Sequence, residues 1–288
     1  MANLCNICPR KCNVDRSKSL GFCGCDDKIH ISKVMFHFFE EPVISGGRGS
    51  GAIFFSGCNL RCRFCQNKEI STSCNGKVYS VDELANLMIS LQQKGADNIN
   101  LVTATHYIDK VALALQQVKK ELVIPVIYNT SGYENLQSIQ ALEGLVDVFL
   151  PDLKYYDINL SFNYSQCKDY FLVATLAIKE MLRQQPKVVI NNGLIKNGVI
   201  IRHLVLPGHR QDSFNIIKYI SQHYKTAYIS LMSQYTPFFN DGEFKNLNRK
   251  ITSFEYNSCL NLVKQLGING FCQKLSSACE KYTPVFEK

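Results

Sequence analysis

The sequence predicts an α/β fold: an open, partial (β/α)6 barrel behind a small cysteine-rich N-terminal extension. Three observations point there. From about residue 52, short runs rich in Val, Ile, Leu and Phe alternate with segments that are apolar at helical spacing. Such alternation means parallel strands joined by right-handed crossovers. Six main units are present, fewer than the eight that a closed barrel needs. The first 30 residues have little periodicity yet carry five cysteines.

Residues 1–30 read as a loop-rich module held by metal rather than by a core, residues 45–275 as the barrel and residues 276–288 as a C-terminal tail. Met35-Phe36-His37-Phe38-Phe39 leads into Gly46-Gly47-Arg48-Gly49-Ser50-Gly51. That stretch lacks the Gly-Lys-Ser/Thr ending of a phosphate loop and reads as a tight turn before a strand. Ala52-Ile53-Phe54-Phe55 is the strand. Ser80-Val81-Asp82-Glu83 has the form of a capping box; Leu84, Leu87, Met88 and Leu91 then repeat at helical spacing, and Gly95 ends the helix. The strand 99–103 precedes a helix with Val111, Leu115 and Val118 on one face.

Pro125 to Tyr128 is a strand, 134–142 a short helix, 146–150 a strand and 170–183 a helix. Asn192-Gly193 and Asn197-Gly198 mark a hairpin-like excursion into a strand from Ile201 to Leu206. Asp212 is placed to cap the next helix, which bears Ile216, Ile217 and Ile220. The strand 227–232 follows, and Thr252-Ser253-Phe254-Glu255 opens a last helix that stops at Gly267.

The chain has 288 residues, 46% hydrophobic and 19% charged, which suits one large domain or two small ones and rules out wholesale disorder. No apolar run approaches the ~18 residues of a transmembrane helix. The start has no basic region followed by an apolar one, so a cytoplasmic protein without a membrane partner is expected. Net charge is +8, but the basic residues are not gathered into one run and no RNA-binding module is recognisable, so nucleic acid is not the expected partner.

Thirteen cysteines in a chain without an export signal read first as metal ligands. Cys58-Asn59-Leu60-Arg61-Cys62-Arg63-Phe64-Cys65 leaves a strand, so three thiolates can converge on one point. Thiolates are soft ligands that suit iron–sulfur clusters or zinc, and three of them leave a coordination position open. Cys5, Cys8, Cys12 and Cys23 form a second set in 19 residues. Zinc and a second iron–sulfur cluster both fit that spacing.

In folds of this class function sits at the carboxyl ends of the strands. Those positions hold Ser56-Gly57-Cys58, Thr103-Ala104-Thr105-His106, Asn129-Thr130-Ser131-Gly132, Pro151-Asp152-Leu153-Lys154, Pro207-Gly208-His209 and Ser233-Gln234-Tyr235.

The run Gly57 to Asn67 resembles the cluster loop of radical S-adenosylmethionine (SAM) enzymes, and is most similar to that of the activating enzymes of glycyl radical enzymes, such as the pyruvate formate-lyase activating enzyme. Asp152-Leu153-Lys154 and the strand Arg202 to His209 with its Pro207-Gly208 ending resemble further parts of that group. The resemblance covers about residues 45–275, and Cys8-Pro9-Arg10-Lys11-Cys12 is similar to a segment that marks one subgroup. It implies a [4Fe–4S] cluster on Cys58, Cys62 and Cys65. SAM would chelate the open iron, and its reductive cleavage would yield a 5′-deoxyadenosyl radical that takes hydrogen from a substrate. It also implies a protein or peptide substrate and an electron donor such as flavodoxin or ferredoxin.

Phe64 would shield the cluster, stack near the adenine or simply pack the loop. Where many members have Gly-Gly-Glu for the SAM amino group, this chain has Thr103 to His106, so the hydroxyls of Thr103 and Thr105 or His106 would take that role. Asp152 and Lys154 would serve the SAM carboxylate, through a bound cation, and the ribose. Asn129, Ser131 and Gln234 join by position. Two other readings stay open: a radical SAM enzyme acting on RNA or a small metabolite, and a non-catalytic electron-transfer protein in which Cys74 closes the 58–65 cluster.

Overall fold

The structure, a computed structural model of the full chain, describes residues 4–238, 241–277 and 286. Of the tail at 276–288 only Ser276, Ser277 and Phe286 are among them, and Cys279 lies outside the described residues. The strands are β1 (Ile29–His37), β2 (Ser50–Phe55), β3 (Lys77–Tyr79), β4 (Ile99–Val102), β5 (Val126–Thr130), β6 (Val148–Pro151), β7 (Val189–Asn191), β8 (Leu194–Leu204), β9 (Tyr228–Met232) and β10 (Gly270–Cys272). The helices are α1 (Lys68–Ser71), α2 (Val81–Gln93), α3 (Ile108–Val118), α4 (Leu136–Gln140), α5 (Ile158–Ser165), α6 (Tyr170–Gln184), α7 (Arg210–His223) and α8 (Ser253–Gln265).

The strands form one sheet in the order β10-β9-β8-β6-β5-β4-β2-β1-β3, with β7 paired to β8. From β2 to β10 along this path every pairing is parallel; β1 pairs antiparallel with β2 and β3, and β7 with β8. The path does not close, so the architecture is the expected partial barrel. The six expected strands are β2, β4, β5, β6, β8 and β9. Two additions extend the edges: β10, and the antiparallel pair β1 and β3. β1 gives little signal in sequence because its burial does not alternate; most of its residues are half-buried against β2 and β3.

Local sequence explains the helix ends. Both capping boxes form: Ser80 Oγ accepts from Glu83 N, and Thr252 Oγ1 from Glu255 N, while each Glu accepts from its cap's backbone N–H. Gly95, at φ 92°, turns the chain out of α2. Asp212 lies inside α7 rather than at its cap, which is His209. Its carboxylate instead accepts from the backbone N–H groups of Tyr156 and Asp157, tying α7 to the loop after β6.

Side chains of each parallel strand alternate between two environments. Ile53, Phe55, Leu101, Tyr128, Phe149, Ile201 and Leu231 join the helices in the main core. Facing the other way, Ile127, Val148, Leu150 and Ile200 meet Val43, Ile44 and Ile195 in a second cluster. Farther along the strands that second face turns polar, with Asn129, Asp152 and Arg202 lining a cavity. No helix among the described residues is long and apolar enough to cross a membrane.

His203 on β8 is buried between the layers; its Nδ1–H donates to Leu153 O at 2.8 Å, and its Nε2 accepts from Ser213 Oγ of α7 at 2.9 Å. Burial pushes its pKa down to about 4. The folded pKa lies below the ordinary 6.5, so the neutral ring's contribution is complete above pH 6.5 and is lost as pH falls toward 4. Between pH 7 and pH 5 the wild-type chain should lose about 2 kcal/mol more stability than His203→Gln. Urea unfolding midpoints at the two pH values check this.

Candidate active site

The loop that carries Cys58, Cys62 and Cys65 begins where β2 ends. Gly57 takes φ 82°, and a Cβ there would come 2.6 Å from Cys25 Sγ and 2.8 Å from Cys23 O, so only glycine passes between the strand end and the N-terminal module. Arg61, at φ 52°, bends the loop between Cys58 and Cys62. The three sulfurs line one cavity. Leu60 N–H points at Cys58 Sγ from 3.4 Å and Ser165 Oγ at Cys62 Sγ from 3.0 Å. Burial, then the proximity of Cys62 and Cys65, pushes the Cys58 thiol up to about 12. Burial and Cys62 push Cys65 up as well. Two buried thiols and the half-buried Cys65 on one cavity suit a soft cation, which binds all three as thiolates. The donor set therefore fits an iron–sulfur cluster.

The N-terminal module is docked against this loop. Arg10, from the Cys-Pro-Arg segment, donates through Nε to Asn59 O at 2.7 Å, through Nη2 to Ser165 O at 2.7 Å and through Nη1 to Gln166 O at 2.5 Å. Its guanidinium also covers the rings of Phe22 and Tyr133, at 4.0 and 5.4 Å from their centroids. Cys58 N–H reaches Cys23 O at 3.3 Å. Within the module Cys12 and Cys23 lie close enough to Cys8, and Cys12 and Cys5 to Cys23, to oppose ionisation of the Cys8 and Cys23 thiols. Burial pushes Cys8 up to about 12. Cys74 is joined to Cys25 in a disulfide and does not line the cavity, so it does not supply a fourth thiolate to the 58–65 set.

A charged network occupies the same cavity. Arg202 donates through Nε to Asp152 Oδ1 at 2.8 Å and through Nη2 to Asn129 Oδ1 at 2.6 Å, and its Nη1 lies 3.6 Å from Glu40 Oε2. Lys154 Nζ donates to Asp152 Oδ2 at 2.5 Å. Burial alone would raise the Asp152 carboxyl, but Arg202 and then Lys154 outweigh it and hold the group below its ordinary range. Burial likewise opposes the Lys154 ammonium, yet Asp152 and the nearby Cys62 thiol keep its pKa raised. Glu40 is pushed up by burial despite Arg202.

Of the residues expected from sequence, Cys58, Cys62, Cys65, Phe64, Thr103, Asn129, Asp152 and Lys154 line the cavity together, as do Ser131 and Gln234. Thr103 sits at φ 63°, a conformation that a β-branched residue rarely adopts and one that clusters at functional sites. Phe64 packs among Tyr155, Tyr164 and Tyr235, with ring centroids 6.0–6.3 Å away.

Thr105 and His106 do not line the cavity. Thr105 donates to the buried Glu134 at 2.6 Å, and His106 Nε2–H donates to Ser56 O at 2.7 Å. Burial pushes His106 down to about 3, so it stays neutral and braces the end of β2. Sequence reasoning missed Arg202 and Glu40. Arg202 had a signal, a charge inside the apolar run Val199 to Leu206; Glu40, in the loop before β2, had none.

The profile of the Radical SAM superfamily matches residues 52–170. An uncharacterized protein of Methanocaldococcus jannaschii is 30% identical over 276 residues, covering 92% of this chain and 75% of that protein. A radical SAM methyltransferase from Sphaerobacter thermophilus superposes with a TM-score of 0.54 at 12% identity, over 77% of this chain and 65% of that one. SuiB of Streptococcus suis, solved bound to SAM, gives 0.52 at 12% identity, over 75% of this chain and 47% of that one. The same enzyme, solved bound to its precursor peptide SuiA, gives 0.51 at 14% identity, over 77% and 48%. The chain thus spans less than two thirds of the length of these solved structures.

Replacing Arg202 by Met should lower stability by about 3–5 kcal/mol, because the buried Glu40 carboxyl then loses the cation that lies 3.6 Å from it. Denaturant unfolding of Arg202→Met against Arg202→Met/Glu40→Gln measures this, and the second substitution should restore part of the loss.

Proposed function

We propose that this chain, which belongs to the radical SAM superfamily, cleaves SAM reductively at a [4Fe–4S] cluster on Cys58, Cys62 and Cys65 and thereby activates or modifies a protein or peptide. The observation that carries the reading is the meeting of three cysteine thiols and the Lys154–Asp152–Arg202 network in one cavity. When bound, the cluster and SAM supply a carbon radical that removes hydrogen from a substrate.

The chain's own residues hold and orient. Cys58, Cys62 and Cys65 would hold the cluster as thiolates, and three protein ligands would leave it open to bind SAM. The Lys154 ammonium, held protonated by Asp152, presents a fixed cation to an anionic or hydroxylated part of the ligand. Thr103 and Asn129 offer polar groups at the ends of neighbouring strands. Phe64 and Tyr235 form an aromatic wall that keeps water from the cluster loop.

A peptide substrate is supported by the cluster-loop resemblance to enzymes that act on proteins. SuiB, which shares the fold, binds a precursor peptide. The reading for this chain is a glycyl radical or a related peptide modification, with a one-electron donor of the flavodoxin or ferredoxin class. The N-terminal Cys5, Cys8, Cys12 and Cys23 would hold a second metal, zinc or iron–sulfur, that stabilises the module behind the cluster loop.

Single Cys→Ala variants at 58, 62 and 65 should each lose SAM cleavage after reconstitution. Lys154→Ala should keep its iron and bind SAM roughly ten- to hundredfold more weakly in anaerobic calorimetry, the effect of one lost charge-assisted hydrogen bond. A Cys→Ala variant at any of the three positions with wild-type cleavage would refute the cluster assignment. The Cys58/Cys62/Cys65 triple Ala variant should retain a metal that a further Cys8→Ala removes. Metal analysis that finds none in the triple variant would exclude the second site.

A further inference from the structure

A second group of metal-binding side chains lies outside the cavity, at the start of β1. The ligand atoms of Asp26, His30 and Cys74 all fall within 4.8 Å of one another. Cys25 stands next to this group, its Sγ bonded to that of Cys74 with the Cα atoms 5.1 Å apart, and would join it once that bond is reduced. His30 Nε2 meets Asp26 Oδ1 at 2.8 Å, while its Nδ1 is buried without a hydrogen-bond partner. A ring left half satisfied beside a carboxylate and the Cys74 sulfur is poorly explained by packing alone. Two Cys, one His and one carboxylate are a donor set that zinc accepts tetrahedrally.

We propose that Cys25, Cys74, His30 and Asp26 form a redox-gated zinc site: a disulfide when oxidised, and a four-ligand zinc centre when reduced. A dithiol reductant of the thioredoxin class gives two electrons and two protons to the Cys25–Cys74 bond and itself becomes a disulfide. The two thiols formed here then lose their protons to solvent as zinc takes both sulfurs. Oxidation reverses the sequence and expels the ion.

The position gives the site a consequence. Cys25 Sγ lies 3.3 Å from Ser56 O, and a Cβ on Gly57 would meet it. Cys74 Sγ lies 3.6 Å from the Tyr107 hydroxyl, which in turn donates to Ser56 O. The pair therefore presses on the two residues that launch the cluster loop, and it joins the N-terminal module to the loop between α1 and β3. A change from a disulfide to two zinc-bound thiolates separates the sulfurs and is felt directly at Ser56 and Gly57. The site is distinct from the Cys5, Cys8, Cys12 and Cys23 set and does not depend on what that set binds.

The test counts metals in the full chain, isolated anaerobically with a thiol reductant, reconstituted with iron and sulfide, incubated with zinc and desalted. Cys74→Ser and His30→Ala should each hold one zinc per chain fewer than wild type with the same iron content. In wild type, oxidation with diamide should release one zinc and leave a Cys25–Cys74 crosslink in peptide mass mapping. Zinc counts equal to wild type in both variants would overturn the proposal. So would an oxidised wild-type chain that carries the crosslink and keeps all its zinc. The oxidation arm needs no variant, so it stands even where a substitution impairs folding.

Discussion

The buried guanidinium of Arg202 organises the functional end of the barrel. It projects from β8 into the cavity and is shared by Asp152 beyond β6, Asn129 on β5 and Glu40 in the loop before β2. A guanidinium suits this place because its planar fork satisfies several acceptors at once and cannot lose its proton. The carboxylates need it equally, since burial otherwise pushes both toward the neutral acid. Its attraction is strong enough that Asp152 stays ionised and can in turn hold Lys154 charged beside Cys62. The polar half of an otherwise apolar barrel is thus one linked electrostatic unit, and an open barrel gives it a cavity to face.

A second dependency runs from the N-terminal module to the cluster loop. A loop that must aim three thiolates at one point cannot be loose, yet it contains little apolar surface of its own. The module supplies the bracing from behind: Arg10 takes backbone carbonyls on the cluster loop and at the end of α5, and Cys23 O meets Cys58 N–H. His106 and Tyr107 brace Ser56 from the other side. The N-terminal module therefore touches the Cys58–Cys65 loop through short, direct contacts rather than through the barrel.

Much of the cavity's lining was legible in the cysteine spacing and in the residues that follow each strand. Those signals are local: three Cys in eight residues, or a polar residue just past an apolar run, keep their meaning whatever packs around them. The same holds for the capping boxes at Ser80 and Thr252 and for six of the seven parallel strands, all but β10, which follow from short-range periodicity. Thr105 and His106 show the limit. Sequence placed them with Thr103 at the end of β4, but one turn of helix from Thr105 to Tyr107 carries them away from the cavity, to Glu134 and Ser56.

By itself the sequence determined the α/β class, the parallel pairing of its units, the three-cysteine loop after β2 and the polar strand ends, because each rests on spacing within a dozen or so residues. Only the tertiary structure decided which of those groups share one cavity. It decided that Glu40 joins Arg202 across 162 positions of chain, that Cys74 pairs with Cys25 rather than with the cluster loop, and that Arg10 braces a loop about 50 residues away. Such pairings are set by the twist and closure of the sheet and by the electrostatic cost of leaving buried charges alone, and neither is written in any local stretch of residues.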